Sequence, residues 1–263
     1  MNLTLGQYYR ANSFIHSLDP RTKIAVTAIY ILAVFLAKGV WGYSLCFLFT
    51  ITELIFSKVP LTMAVRALKT VIAIIFFTVI FNLFFINTGT ELFRWHFISI
   101  TTDGLSLTLK LCVRLMLLVV GSGFLTFTTT PIALTDGLES ILSPLRVIKF
   151  PVHETALMMS IALRFIPTLA QELDKIKKAQ LSRGADFESG GIIKRAKGML
   201  PLLVPLFVSS FRRADELAQA MEARCYRGGK GRTKLNVLKA GKRDAIAYIF
   251  AFAVLLTIVV GQI

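Results

Sequence analysis

Cysteine and histidine are scarce in this chain, and both are scattered. Cys46, Cys112 and Cys225 are widely spaced and form no CxxC pair, which predicts neither a disulfide framework nor a zinc site. No HExxH sequence is present, and residues 228–233 (Gly-Gly-Lys-Gly-Arg-Thr) share only composition with a phosphate-binding Walker A loop. These absences predict a chain that is not an enzyme and has no metal or cofactor of its own.

Acidic residues are also few: 15 Asp and Glu against 30 Lys and Arg. Hydrophobic residues make up 55% of the 263 positions, and 21 of them are Phe, more than one globular core can bury. The composition predicts an all-α, polytopic membrane protein. The first residues lack the basic-then-apolar order of a cleavable signal peptide, so we expect the N-terminus to stay in the cytoplasm.

Five apolar runs predict membrane-spanning helices. They cover residues 24–37, 43–56, 71–86, 105–128 and 245–260. With this arrangement 26 of the 30 Lys and Arg residues fall on one side of the membrane and two on the other. Because basic loops stay in the cytoplasm, the pattern predicts a cytoplasmic N-terminus, cytoplasmic residues 131–243 and an outer C-terminus.

Residues 131–243 differ from the rest of the chain. Apolar residues recur there at helical spacing beside charged ones, and no charge-free run reaches the ~18 residues that a membrane span needs. We therefore predict three parts: a membrane region (1–130) with four spans, a cytoplasmic domain of long amphipathic helices (131–243) and a last span (244–263).

Two long helices are expected in the cytoplasmic part, over residues 154–182 and from 192 to about 226. The second helix carries an apolar stripe, and its centre predicts the place where the two helices cross or contact a partner. The residues of that centre are Leu200, Leu203, Phe207 and Phe211.

Each long helix ends in a small residue, an arginine and another small residue. These triplets are Ser182-Arg183-Gly184 and Ala223-Arg224-Cys225. One interpretation is that the arginine only offsets the negative end of the helix dipole. The other is that each exposed helix end presents a bidentate donor to a groove of a partner.

Three charged residues within predicted spans have no assigned role. Lys110 and Arg114 can either extend to the outer interface or face a polar neighbour inside the bundle, and Glu53 can pair with a cation in the same way. The sequence leaves both alternatives open.

Three segments together resemble the T component of energy-coupling-factor (ECF) vitamin transporters, a family that also holds the membrane subunit of cobalt importers. These segments are Leu-Asp-Pro-Arg-Thr-Lys at 18–23, Ala-Gln-Leu-Ser-Arg-Gly-Ala-Asp at 179–186 and Ala-Met-Glu-Ala-Arg-Cys-Tyr-Arg-Gly-Gly at 220–229. The resemblance covers the whole chain. It departs from the common pattern at Cys225, where the family usually has glycine after the arginine.

The resemblance implies a scaffold that joins two cytoplasmic ABC-type ATPases to a membrane protein, the S component, that captures the substrate. The two arginine triplets would insert into grooves of the two ATPases, which would bind ATP and Mg²⁺ themselves. The partners expected are thus two ATPases, one S component and the lipid bilayer. The substrate would be recognised by another chain.

Other functions compete with this interpretation. Within the same family, the chain could serve a dedicated cobalt, nickel or biotin importer. A self-sufficient carrier or channel would need polar residues along the spans, and few are present. Binding of nucleic acid would need basic stripes, but 10 acidic residues interleave with the 20 basic ones between 131 and 243.

Overall fold

The computed structural model describes residues 8–85, 90–95, 98–185, 187, 191–229 and 238–261. Helices α1 to α5 are Pro20–Leu36, Gly39–Ser57, Leu61–Phe85, Thr102–Thr128 and Pro131–Ile141. Helices α6 to α8 are Val152–Ser182, Ile192–Ala223 and Lys242–Val260, and a 3-10 helix, Ser143–Ile148, precedes α6. Strands β1 (Glu91–Trp95) and β2 (Ile98–Thr101) form an antiparallel hairpin where the sequence predicts only a connection.

These elements form two compact units. The bundle unit contains α1 to α5, the hairpin and α8, and the α6–α7 unit contains the 3-10 helix, α6 and α7. Residues 131–141, grouped above with the cytoplasmic domain, pack as α5 against α1. Gly137 permits this contact, because a Cβ there would lie 3.0 Å from Cβ of Pro20.

Five described helices are long and apolar enough to cross a membrane, judged by length and composition. They are α2, residues Leu61–Asn82 of α3, α4, α6 and α8. Four of them match predicted spans. The first predicted span forms the shorter α1, whereas α6 qualifies although no span was predicted within 131–243. The reason is that most charges of α6 lie in its second half, which leaves the first half apolar.

The core of the bundle unit is built around Tyr30 of α1, which is 2% exposed. Its ring stacks on Phe49 of α2 with 5.0 Å between centroids, and its hydroxyl donates to the carbonyl of Leu117 in α4 at 3.0 Å. A Cβ at Gly121 would lie 2.2 Å from Cε1 of Tyr30. Glycine at 121 is therefore what lets α1 and α4 approach this closely.

The start of α1 is tied to the start of α8 through the buried carboxylate of Asp244. Asp19 is the N-cap of α1 and accepts from the backbone N–H of Arg21 at 2.9 Å, with Pro20 in the first turn. The N–H of Asp19 donates to Oδ1 of Asp244 at 2.8 Å, and the N–H of Gly241 donates to Oδ2 of the same residue at 2.8 Å. One side chain thus satisfies a backbone donor from each of two segments far apart in sequence.

Lys23, one turn into α1, extends the same junction. Its buried ammonium donates to the carbonyl of Thr128, at the end of α4, at 2.9 Å and to the carbonyl of His16 at 3.2 Å. Burial lowers the pKa of His16, and the positive charge of Lys23 acts in the same direction. The Leu-Asp-Pro-Arg-Thr-Lys segment therefore holds the ends of three helices together.

Replacing Asp244 with Asn tests this junction. An amide has one acceptor oxygen, so one of the two backbone N–H groups loses its partner and faces an N–H₂ group instead. We expect a loss of about 1 to 3 kcal/mol in stability, measured by thermal unfolding of the purified protein. Asp103→Asn, in the exposed first turn of α4, is the matched control. Equal unfolding curves for both variants would contradict the role given to Asp244.

Candidate functional site: the ends of α6 and α7

Helix α6 ends in a glycine-closed cap. Arg183 is the C-cap residue and Gly184 follows with φ +85°. The N–H of Gly184 donates to the carbonyl of Leu181 at 3.0 Å, and the N–H of Ala185 donates to that of Gln180 at 3.0 Å. This pair of bonds is the Schellman motif, which satisfies carbonyls that the helix leaves open.

Helix α7 ends in the same way without a glycine. Arg224 is its C-cap residue, and Cys225 adopts φ +56°. The N–H of Cys225 donates to the carbonyl of Glu222 at 2.8 Å, and the N–H of Tyr226 donates to that of Met221 at 3.0 Å. The departure from the family pattern at 225 thus leaves the backbone geometry of the two helix ends alike.

All six residues of the two triplets are exposed. Among the described residues, neither Arg183 nor Arg224 takes part in a side-chain hydrogen bond or ion pair. Both guanidinium groups are therefore available to a carboxylate or to carbonyl groups of another molecule. The structure confirms that the sequence places an arginine at each helix end, and the docking role stays a prediction.

The contact between α6 and α7 is polar where its side-chain bonds are described. Glu172 of α6 accepts from the hydroxyl of Ser209 at 2.8 Å and from the guanidinium of Arg213, both on α7. Leu202, which lies two turns before Ser209 on α7, is 9% exposed. Residues 202, 209 and 213 share a face by helical spacing, and sequence periodicity did not single them out because two of them are polar.

The predicted crossing residues lie elsewhere on α7. Leu200, Leu203, Phe207 and Phe211 are 54%, 44%, 62% and 66% exposed, respectively. Side chains this exposed do not form a buried crossing within the chain, so that part of the prediction is corrected. The periodic stripe identified an apolar surface, but the face of α7 that contacts α6 lies nearly opposite that stripe by helical spacing.

The chain after α7 returns to the start of α6. Gly228 has φ +85°, and a Cβ at Gly229 would lie 2.5 Å from Cδ2 of His153. The Gly-Gly pair at 228–229 is thus explained by a positive φ at the first glycine and a close approach at the second. No group of three or more metal-ligating side chains occurs in the described part of the chain, and the basic segment 230–237 lies outside it.

The backbone at Cys225 yields a prediction. A residue with a Cβ at positive φ carries strain of about 1 to 2 kcal/mol, so Cys225→Gly should stabilise the end of α7 by about 1 kcal/mol. Slower hydrogen exchange at the amides of 225 and 226 would report this. Cys225→Ala is the control, because it removes the sulfur and keeps the Cβ. Equal protection in both variants would show that the cap is unstrained.

The comparisons with known proteins agree with these features. The model of the CbiQ family, described as cobalt transport protein, matches residues 11–235. The energy-coupling factor transporter transmembrane protein EcfT of Ruminiclostridium cellulolyticum is 52% identical over 245 residues, covering 93% of this chain and 91% of that protein. The protein of the same name from Acidaminococcus fermentans is 52% identical over 252 residues, with 96% and 94% covered.

A third relative, EcfT of Bacillus subtilis, is 47% identical over 237 residues, covering 90% of this chain and 89% of that protein. The family-model match includes α1 to α5 and both arginine-bearing helix ends. By this full-length identity, the chain belongs to the CbiQ family and, within it, to the energy-coupling factor transporter transmembrane proteins.

Proposed function

We propose that this chain couples ATP hydrolysis by two cytoplasmic ATPase subunits to uptake of a vitamin or another micronutrient captured by a second membrane protein. The observation that carries the proposal is the matching pair of exposed, arginine-bearing helix ends on α6 and α7. Two equivalent docking elements suit two related partners. The family membership supports a role within a transporter complex.

The chemistry of the helix ends fits docking into a protein groove. The planar guanidinium group offers a rigid set of donors that binds carboxylate or carbonyl oxygens in pairs. Gly184 and Cys225, which follow the arginines, are small, so a groove can close around each end. If these arginines only offset the helix dipole, the ends of α6 and α7 would not need the same backbone geometry.

The ion pair between α6 and α7 lies at the same distance from both ends. Arg183 follows Glu172 by 11 residues, and Arg224 follows Arg213 by 11 residues. At the helical rise, each arginine therefore lies about 16 Å beyond the contact. Two stiff segments of equal length, joined at one point, would transmit the movement of two ATPases toward that point.

The exposed apolar surface of α7 suits a membrane partner. Phe207 and Phe211 stack with 6.5 Å between ring centroids and remain largely exposed. The neighbouring Val204 and Val208 are 62% and 56% exposed. An apolar patch of this kind is expected to be covered by another protein or by lipid, and we assign it to the substrate-capturing subunit.

The remaining assignments follow from the charge distribution. The excess of Lys and Arg on one side supports a cytoplasmic N-terminus, cytoplasmic arginine-bearing ends and an outer C-terminus. ATP and Mg²⁺ would be bound by the ATPases, and the transported substrate by the capture protein. This chain would then supply neither catalytic groups nor groups that bind the transported substrate.

Replacing both arginines with Ala tests the docking role. A desolvated bidentate arginine contributes about 2 to 4 kcal/mol to binding, whereas a helix-end cation contributes about 0.3 to 1 kcal/mol. We therefore expect the double variant to lose both co-purification of the ATPases and uptake, and each single variant to weaken them. Arg→Lys should restore little, since the ammonium group lacks the planar fork.

The controls for this experiment are exposed cations on the same helices. Lys177→Ala on α6 and Arg212→Ala on α7 should leave complex yield and uptake near the wild-type level. All variants should insert and fold, as judged by yield and thermal unfolding. If the double variant bound the ATPases as the wild type does, the docking role would be wrong and the two arginines would serve only as helix caps.

Phe207→Asp tests the apolar surface. Because Phe207 is exposed within this chain, the variant should fold, but a charge in an apolar contact with a partner should cost several kcal/mol of binding. The expected result is loss of the capture protein from the purified complex. Gln219→Asp, also exposed on α7, should have little effect. Normal complex yield with Phe207→Asp would exclude this surface as the partner contact.

A further inference from the structure

A cavity of about 390 Å³ lies inside the bundle unit, between α1, α2, α4 and α8. Its volume falls in the range of small-molecule sites. Most of its wall is apolar and aromatic, with contributions from Phe14, Leu18, Phe49, Phe124, Ile246 and Phe250. Neither the ATPase docking nor the capture of substrate proposed above uses this cavity.

One carboxyl group lines this apolar cavity. Glu53 of α2 is part of the wall, and its Oε2 atom is buried and has no hydrogen-bond partner among the described residues. A buried acceptor without a partner costs about 1 to 3 kcal/mol, and more for a charged group. An ionisable residue at such a place in a membrane protein indicates a partner that the chain itself does not supply.

The three hydroxyl groups of the wall have used their donors, and Lys23 has used two of its three ammonium N–H groups. The hydroxyls of Thr27, Thr52 and Thr128 donate to the backbone carbonyls of their own helices, at 2.8, 2.7 and 2.7 Å. Lys23 donates to two backbone carbonyls. The cavity therefore offers mainly acceptor oxygens, and an occupant that satisfies them must be a hydrogen-bond donor.

The charges of the wall select among donors. The ammonium group of Lys23 repels a cationic head, and the apolar wall around Glu53 disfavours an anionic head, which would lose its hydration there. A neutral hydroxyl group meets both conditions. We propose that the cavity binds a neutral, hydroxyl-bearing amphiphile of the acylglycerol type, whose hydroxyl donates to Glu53 while its acyl chain fills the aromatic part.

The position of the cavity fits a ligand of this kind. The start of α1, the end of α4 and the start of α8 contribute Lys23, Thr128 and Ile246 to the wall, so the cavity lies at one end of the bundle. At a membrane surface the surroundings change from polar to apolar. A lipid changes in the same order, from its hydroxyl head to its acyl chain. Phe56 and Ile246 of the wall are each 58% exposed and provide an apolar entry from the bilayer.

The test uses the full chain in phosphatidylcholine nanodiscs and a monoacylglycerol with a photoactivatable group in its acyl chain. Crosslinks should map to α2, α4 and α8. Unlabelled monoolein should compete about tenfold better than oleic acid or oleylamine, which have the same chain with a charged head. Equal competition by the three compounds would overturn the proposal without the need for any variant.

Two sets of variants test the contribution of the cavity and that of the Glu53 carboxyl group separately. Ala247→Phe, in the cavity wall, should abolish crosslinking, while Ala253→Phe on the exposed side of the same helix should not. Glu53→Leu should reduce labelling about tenfold through the lost hydrogen bond, and Glu53→Gln should retain it because the amide keeps an acceptor oxygen. Unchanged labelling in Ala247→Phe, or in Glu53→Leu, would exclude the site.

The source of the ligand is identified separately. The chain would be purified from cells in polymer nanodiscs without detergent, and its bound lipids would be analysed by mass spectrometry. Stoichiometric mono- or diacylglycerol would identify the membrane as the source. Specific probe binding with no such co-purified lipid would identify a free amphiphile. Both lipid-analysis outcomes keep the site, whereas the competition and variant outcomes above decide whether it exists. A negative result there would leave the ATPase docking tested above unaffected.

Discussion

The fold of the bundle unit depends on one carboxylate. Asp244 accepts a backbone N–H from Asp19 and one from Gly241, and so fixes the start of α1 against the start of α8. Lys23, one turn later, reaches the end of α4. Helix ends leave backbone groups unpaired, and within a low-dielectric membrane protein an unpaired group is costly. This junction removes that cost at three helix ends and thereby sets which helices are neighbours.

The α6–α7 unit follows a different constraint. Its helices join through an ion pair with one hydroxyl, between Glu172, Arg213 and Ser209, and leave the apolar stripe of α7 exposed. An exposed apolar surface of this kind is typical of a protein or lipid contact. The two Schellman caps keep each arginine at the last turn of a long helix, where proposed partners can reach it. Exposure here is consistent with a subunit that acts only in a complex.

The helices could be predicted closely from the sequence, and their contacts less so. The expected helix at 154–182 is Val152–Ser182, because apolar periodicity marks it along its length. The same evidence predicts that Leu203, Phe207 and Phe211 lie at the helix crossing or contact a partner. Within the chain the crossing uses Glu172 and Arg213, and the partner contact stays a prediction. Periodicity identifies the side chains that avoid water. In a membrane protein such side chains can face another helix, a partner or lipid, so periodicity alone does not tell which of these covers them.

The sequence by itself determined the class of protein, the long helices, the arginine at each of their ends and the family. Each of these depends on local composition, spacing or short segments, which are present in the chain before it folds. Only the tertiary structure decided that Asp19 meets Asp244 across 225 positions, that Cys225 adopts the backbone of a glycine, and that Glu53 lines a cavity without a partner. These features depend on the packing of distant segments and on backbone angles, and neither is encoded by any single stretch of residues.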